Sequence, residues 1–225
     1  MRFWVVPALA CAFVLGSVVP EFAQDSTSSS SSSRSKKAPR PSAKPVLEDG
    51  KVSAGVYRNA SLGLTCTIPA GWVLRTAEMN ARDTDEQQNP SPQGSQRNTE
   101  DSGRVLLAAF SRPPEAAGAE VNSSIVIAAE PVAAYPGLKE AVQYVGPLTE
   151  VAKAQGFEAD EDPYEVAIGA KTLVQVDFHK DVGSRVMRQS TLIFLARGYA
   201  VSITVIGGSE DEVEELVEGL SFSGK

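Results

Sequence analysis

Residues 164–206 read "YEVAIGAKTLVQVDFHKDVGSRVMRQSTLIFLARGYAVSITVI", and no other stretch restricts the fold as tightly. "YEVAIGA" and "KTLVQVDFHKD" are separated by little more than Gly169. "DVGS" leads into "RVMRQSTLIFLA", and Arg197-Gly198 leads into "YAVSITVI". A parallel crossover needs a dozen or more residues, so runs this close must pair as antiparallel neighbours. Arg197-Gly198 between two β-rich runs signals a tight hairpin. Within the second run, Thr172, Val174, Val176 and Phe178 share one face, and Leu173, Gln175, Asp177 and His179 share the other. An antiparallel meander is therefore the centre of the fold.

Around it, "GRVLLAAFSR" (103–112) and "SSIVIAAEPV" (123–132) are short apolar runs bounded by turn residues, and they read as further strands. Two segments have helical period. In 137–157, Leu138, Ala141, Val142, Val145, Leu148, Val151 and Ala152 recur at three and four, and Pro147 predicts a kink or two short helices. Near the C-terminus, Ser209 with Glu212 forms a capping box, followed by the stripe Val213, Leu216, Val217 and Leu220. That stripe is expected to cover one face of the meander. Val174, Val176, Phe178, Ile193, Leu195, Val201, Ile203 and Val205 are expected in one buried layer or its neighbour.

The chain has 225 residues, enough for one domain with extensions. It opens with one Arg and an apolar stretch from Phe3 to Val19, the layout of a secretory signal peptide. Cleavage near Ala23 is preferred to a retained membrane anchor, and a lipid-modified Cys11 is the third alternative. "STSSSSSSRSKKAPRPSAKP" (26–45) has almost no apolar side chains to offset the entropy of ordering, so residues 24–50 are expected to be a disordered tether. Residues 51–225 are then the domain, with a flexible loop expected at 79–103. After export only Cys66 of the two cysteines remains, so no intramolecular disulfide can form. Cys66 lies in the apolar run "LGLTCTI" and reads as a small buried thiol.

The net charge of −7 is unevenly spread, with five Lys/Arg against three Asp/Glu over residues 24–50 and 15 against 24 over residues 51–225. An acidic domain repels phosphate backbones, which argues against nucleic acid. The stretch "RSKKAPRPSAK" (34–44) reads as a solvated linker, with an anionic membrane or cell-wall polymer as the other reading.

Ionisable chemistry is sparse. His179 is the single histidine, on a polar strand face beside Asp177 and Gln175, and it reads as a half-exposed strand residue more than a catalytic or metal one. No nucleophile-elbow, zinc-protease, phosphate-loop or dinucleotide pattern is present. The acidic run "EADEDPYE" (158–165) lacks the spacing of a calcium loop and reads as solvated. "NAS" at 59–61 and "NSS" at 122–124 match the short glycosylation pattern. No catalytic, cofactor-binding or metal residue is assigned, and no cofactor is expected.

"GVYRNASLGLTCTIPAGW" (55–72) carries a more particular signal. Leu62, Leu64 and Cys66 can share a buried strand face; Pro69 ends the ladder, Gly71 permits a turn, and Trp72 can cap the core. This segment, together with "TLIFLARGYAVSITVIGGSEDEVEELVEGLSF" (191–222), resembles the Mog1/PsbP-like superfamily. The resemblance implies a fold of the α/β (α+β) class, a single α/β/α sandwich with a mainly antiparallel sheet and a C-terminal helix. It carries no functional residues to this chain. The reading is an exported, non-enzymatic accessory protein, periplasmic or extracellular, that acts as a binding or assembly module at the cell envelope. Its partner is an unknown protein or envelope ligand, with membrane contact only through the signal segment or the basic tether. The alternative is a periplasmic or secreted hydrolase-type enzyme whose site shows no recognised pattern.

Overall fold

The computed structural model describes residues 47–87, 103–118 and 120–224, with the side chains of 82–87 left aside. The expected signal segment, the tether up to residue 46 and residues 88–102 of the expected loop lie outside them. Every strand pairing among the described residues is antiparallel. With three helices, the last near the C-terminus, the fold is α+β.

The strands form two sheets. In the smaller, β1 (Lys51–Ser53), β2 (Val56–Asn59), β3 (Leu64–Thr67) and β12 (Leu220–Phe222) lie in that order. The larger contains β4 (Val73–Leu74), β5 (Arg104–Phe110), β6 (Ser124–Pro131), β7 (Glu158–Ala159), β8 (Tyr164–Ile168), β9 (Lys171–Val182), β10 (Arg185–Ala196) and β11 (Tyr199–Gly207). Its order is β4-β5-β6-β11-β10-β9, with β7 and β8 both pairing with the outer side of β9. The meander 164–206 thus forms β8 to β11 as the turn residues require. Gly169 (φ 58) and Gly183 (φ 67) each open a two-residue turn, and Arg197 and Gly198 both adopt positive φ, 54 and 83. Two left-handed residues in a row match the twist of the flanking strands.

The helices are α1 (Thr76–Gln87), α2 (Val145–Ala154) and α3 (Glu210–Glu218). Pro147 falls in the first turn of α2, where its missing N–H costs nothing, and a separate 3-10 turn, Ala141–Tyr144, precedes it. Of the expected kink or two short helices, the chain forms one α-helix preceded by a 3-10 turn, and the junction lies at residues 144–145, ahead of Pro147 and not at it. Helix α1 replaces the first part of the expected loop at 79–103. It has no apolar stripe to announce it; it covers the open edge of β5 instead. The Arg75 N–H donates to Ala108 O, the Ala108 N–H to Thr76 Oγ1, and the Val105 N–H to Asn80 Oδ1 at 2.8–2.9 Å. These bonds blunt an edge that would otherwise be free to pair.

The large sheet is buried on both faces, so the residues expected in one buried layer or its neighbour occupy both. Leu173, Leu192, Phe194, Val201, Ile203 and Val205 pack with α3 and the small sheet. Val174, Val176, Phe178 and Ile193 face the other way, with Leu195 against them, under Tyr144, Val145, Ala152 and Phe157. The eight residues expected together therefore split five and three between two faces. The small sheet is also an addition to the expected sandwich. Its strands are three or four residues long, too short for a sequence period to reveal.

The domain begins earlier than Lys51. Leu47 is 1% exposed, and Glu48 and Asp49 accept hydrogen bonds from Asn59 Nδ2 and Tyr57 OH through their carbonyls. Residues 47–50 belong to the packed body, not the tether. The strand before Ile68-Pro69-Ala70-Gly71-Trp72 is β3. It does close there: Gly71 at φ 85 permits a turn in which Trp72 N donates to Pro69 O at 3.4 Å. Trp72 is only half-buried, with one side against the core and the other lining a shallow apolar hollow with Val52 and Leu74.

Candidate functional site

The outer strand of the large sheet runs 158–168 and is broken in the middle. Ala159 opposes Phe178 and Tyr164 opposes Gln175, so residues 160–163 face only residues 176 and 177. Two extra residues must bulge, and a bulge re-aims the side chains around it. Pro163 suits this position because it has no N–H for the ladder. The bulge turns Asp160 back over β9 and β10. Asp160 Oδ1 lies 2.5 Å from His179 Nδ1, and Asp160 Oδ2 accepts from Arg188 at 3.3 Å. A carboxylate cannot donate, so the ring must carry its proton on Nδ1.

One row further along the same face is a second polar group. Asp177 accepts from Tyr164 OH at 2.7 Å and from Gln175 Nε2 at 3.1 and 3.2 Å. Burial, and then the hydrogen bond to Asp177, push the Tyr164 phenol above its ordinary value of 10.0. Losing that proton would set two negative oxygens together, so Tyr164 stays a donor at neutral pH.

Helix α3 lies over the middle of this face and stops short of the outer strands. Between them runs a groove of about 890 Å³. Val166 and Ile168 from β8 and Val213 and Val217 from α3 supply its apolar surface. Glu210, Glu214 and Glu218, spaced by four, line it along one exposed stripe of α3. At the bulge it ends on Asp160, Glu161 and Arg188. Six carboxylates therefore face one guanidinium. The groove favours cations and offers apolar contact beneath them.

The residues singled out in the sequence are placed as follows. His179 is half-exposed, as read, but its carboxylate partner is Asp160 and not Asp177. The run 158–165 is exposed throughout, as its solvated reading implies, and its Asp160 and Tyr164 also line the groove. No pattern in the sequence could have found this, since Asp160 is 28 residues from Arg188 and the bulge has no motif. Cys66 is fully buried, and burial pushes its thiol from 9.0 up to about 12, so it is inert. The two glycosylation patterns are consumed internally. Asn59 is 1% exposed and donates Nδ2 to Glu48 O and Tyr57 OH, while Asn122 Nδ2 donates to Arg112 O. Among the described residues, no group of three metal-ligating side chains converges, and no helix is long and apolar enough to cross a membrane.

No protein-family model matches the chain, and a search of curated proteins finds no match. Some solved structures are similar to it at low scores. They include cyanobacterial PsbP (CyanoP) from Synechocystis, at 14% identity and TM-score 0.42, covering 80% of this chain and 99% of that one. They also include LpqN, involved in cell envelope biogenesis of Mycobacterium tuberculosis, at 11% identity and TM-score 0.34, covering 72% and 83%. A protein of unknown function from Pseudomonas aeruginosa matches at 16% identity and TM-score 0.35, covering 60% and 90%. At these scores the likeness carries no functional argument.

Proposed function

We propose that the protein is an exported, non-enzymatic binding module at the cell envelope, and that it captures its partner in the groove between α3 and the outer strands. One observation carries this reading. The groove has an apolar floor of Val166, Ile168, Val213 and Val217 among its carboxylates, and two of those carboxylates at its bulged end are held by neighbours, Asp160 by His179 and Arg188, and Asp177 by Tyr164 and Gln175. Such pairs fix a surface more readily than they drive a reaction. A groove with apolar walls and a few charged groups at fixed points is a common form of binding site. Export is supported by the signal-like segment 1–23.

A hydrolase reading keeps one observation, the Asp160–His179 contact, which is the orienting half of a catalytic triad. Arg188 shares that carboxylate, so the contact also reads as an ion-pair clamp.

The test is a photo-reactive residue at Glu214, inside the groove, in cells expressing the full chain. The reading predicts a covalent adduct of discrete mass. The same residue at Val142, exposed on the opposite face, should give none. Equal labelling at both positions, or none at Glu214, would overturn it.

A further inference from the structure

The outer edge of the large sheet lies alongside the groove, and among the described residues it is unpaired along β8 up to its turn, where the Ala170 N–H donates to Phe222 O at 3.4 Å. Strand β8 pairs with β9 on one side and, among the described residues, with no strand on the other. The two-residue turn at Gly169 and Ala170 makes Ile168 and Lys171 the closing hydrogen-bonded pair. Hydrogen bonding alternates along an antiparallel ladder, so Ile168, Val166 and Tyr164 direct their backbone toward β9. Glu165 and Ala167 direct theirs outward, and both residues are exposed. The opposite edge of the sheet is blunted along its length by β4 and α1, whereas this one is interrupted only by the bulge at 160–163, which leaves β8 itself uncovered by a strand among the described residues.

We infer that β8 is a strand-addition site, and that its occupant is an extended polypeptide segment rich in lysine or arginine. The inference rests on the groove being the capture site and names what is captured. An added strand would bond to the outward groups of Glu165 and Ala167. Every second side chain would then point over the groove face, because strand side chains alternate. There it meets Val166 and Ile168 beneath, with Glu210, Glu214 and Glu218 across the gap. Long basic side chains suit both, since their stems pack on apolar surface while their charged ends reach carboxylates. A second copy of this chain suits the site poorly. It would bring an identical acidic groove, on a body with 15 Lys/Arg against 24 Asp/Glu over residues 51–225.

The probe is the labelled peptide acetyl-Lys-Val-Lys-Val-Lys-Val-Lys-amide, titrated into the full-length chain and followed by anisotropy and amide exchange. It is expected to bind, more weakly as salt is raised, and to protect the Glu165 and Ala167 amides. The peptide with Glu in place of Lys should not bind. Ala167→Pro removes an outward N–H that has no ladder partner, so the chain stays folded and peptide affinity drops about tenfold or more. Glu214→Lys with Glu218→Lys should weaken binding by a similar factor, about tenfold, and flatten the salt dependence.

The inference is overturned if the lysine peptide fails to bind, if the glutamate peptide binds as well, or if Ala167→Pro binds unchanged without protection at 165 and 167. Self-association of the wild-type chain that Ala167→Pro abolishes would also overturn it, in favour of a second copy. Failure here with a discrete adduct from Glu214 in cells removes the partner class and leaves the groove reading standing. Absence of that adduct removes both.

Discussion

Asn59 uses its whole amide inside the fold. Its Nδ2 donates to Glu48 O at 2.7 Å, and its Oδ1 accepts from Ser61 Oγ and the Leu62 N–H at 2.6 and 3.1 Å. One side chain thus holds the first packed residues against the turn after β2. Asn59→Ala should cost about 2–3 kcal/mol in urea melts, because a buried carbonyl and N–H lose their partners together. Nearby, Cys66 and Tyr57 set an alkaline limit. Burial pushes both up to about 12, from 9.0 and 10.0. Above pH 9 the unfolded chain releases the thiol proton while the folded chain keeps it. Their contribution is therefore complete below the ordinary values and is lost as pH rises toward 12, at about 1.4 kcal/mol per unit for each group. Urea midpoints should fall steeply between about pH 9 and about pH 11, and less steeply in Cys66→Ala, which retains only the Tyr57 share. A flat profile in the parent chain would contradict the burial of both groups.

Among the elements, α3 was the most legible and α1 the least. Half of the α3 capping box forms: Ser209 Oγ accepts from the Glu212 N–H at 3.2 Å, while the Glu212 carboxylate accepts from the Gly208 N–H at 2.8 Å and not from that of Ser209, and Ser209→Ala should cost about 1 kcal/mol. The meander was legible because its turns are local and each carries a residue suited to left-handed backbone. The facing of its strands was not. A sheet buried on both sides has no polar alternation to set the phase, so Val174 and Val201 look equivalent in sequence yet point apart. Helix α1 is held by bonds to β5 from Thr76 and Asn80, an arrangement that leaves no periodic mark. Trp72, expected to cap the core, does pack against it but stays partly exposed. Trp72→Ala should accordingly cost about 2 kcal/mol in the same melts, below the 3–5 typical of a wholly buried aromatic. A cost inside that higher range would place the ring in the core after all.

At the scale of the whole molecule, the two faces of the large sheet have different fates. One is closed by α2 and the 3-10 turn before it. The other is shared by α3 and the small sheet, whose β12 returns to pair with β3, Leu220 opposite Cys66. That long return fixes where α3 can lie, and α3 does not reach β8. The groove is the strip of sheet left over. It was illegible in the sequence because it is made by contacts between distant segments, the bulge at 160–163, the row Asp177–Tyr164 and the outer side of α3. The class of fold needed only local patterns; the site needed the assembled chain.

The central claim is that α3 has two distinct sides, one of core and one of groove. Neighbouring residues test it. Leu216 is 6% exposed in the core, whereas Val217 is half-buried on the groove wall. Each variant is placed in the chain carrying the photo-reactive residue at Glu214, and melting temperature and adduct yield are measured together. Leu216→Asp buries an unpaired carboxylate and should lower stability by at least about 3 kcal/mol. Val217→Arg should melt within a few degrees of the parent, because its stem can lie along the wall with its charge in water, yet it should lose the adduct. If Val217→Arg unfolds the chain, or folds and still forms the adduct, the groove is not where this protein meets its partner.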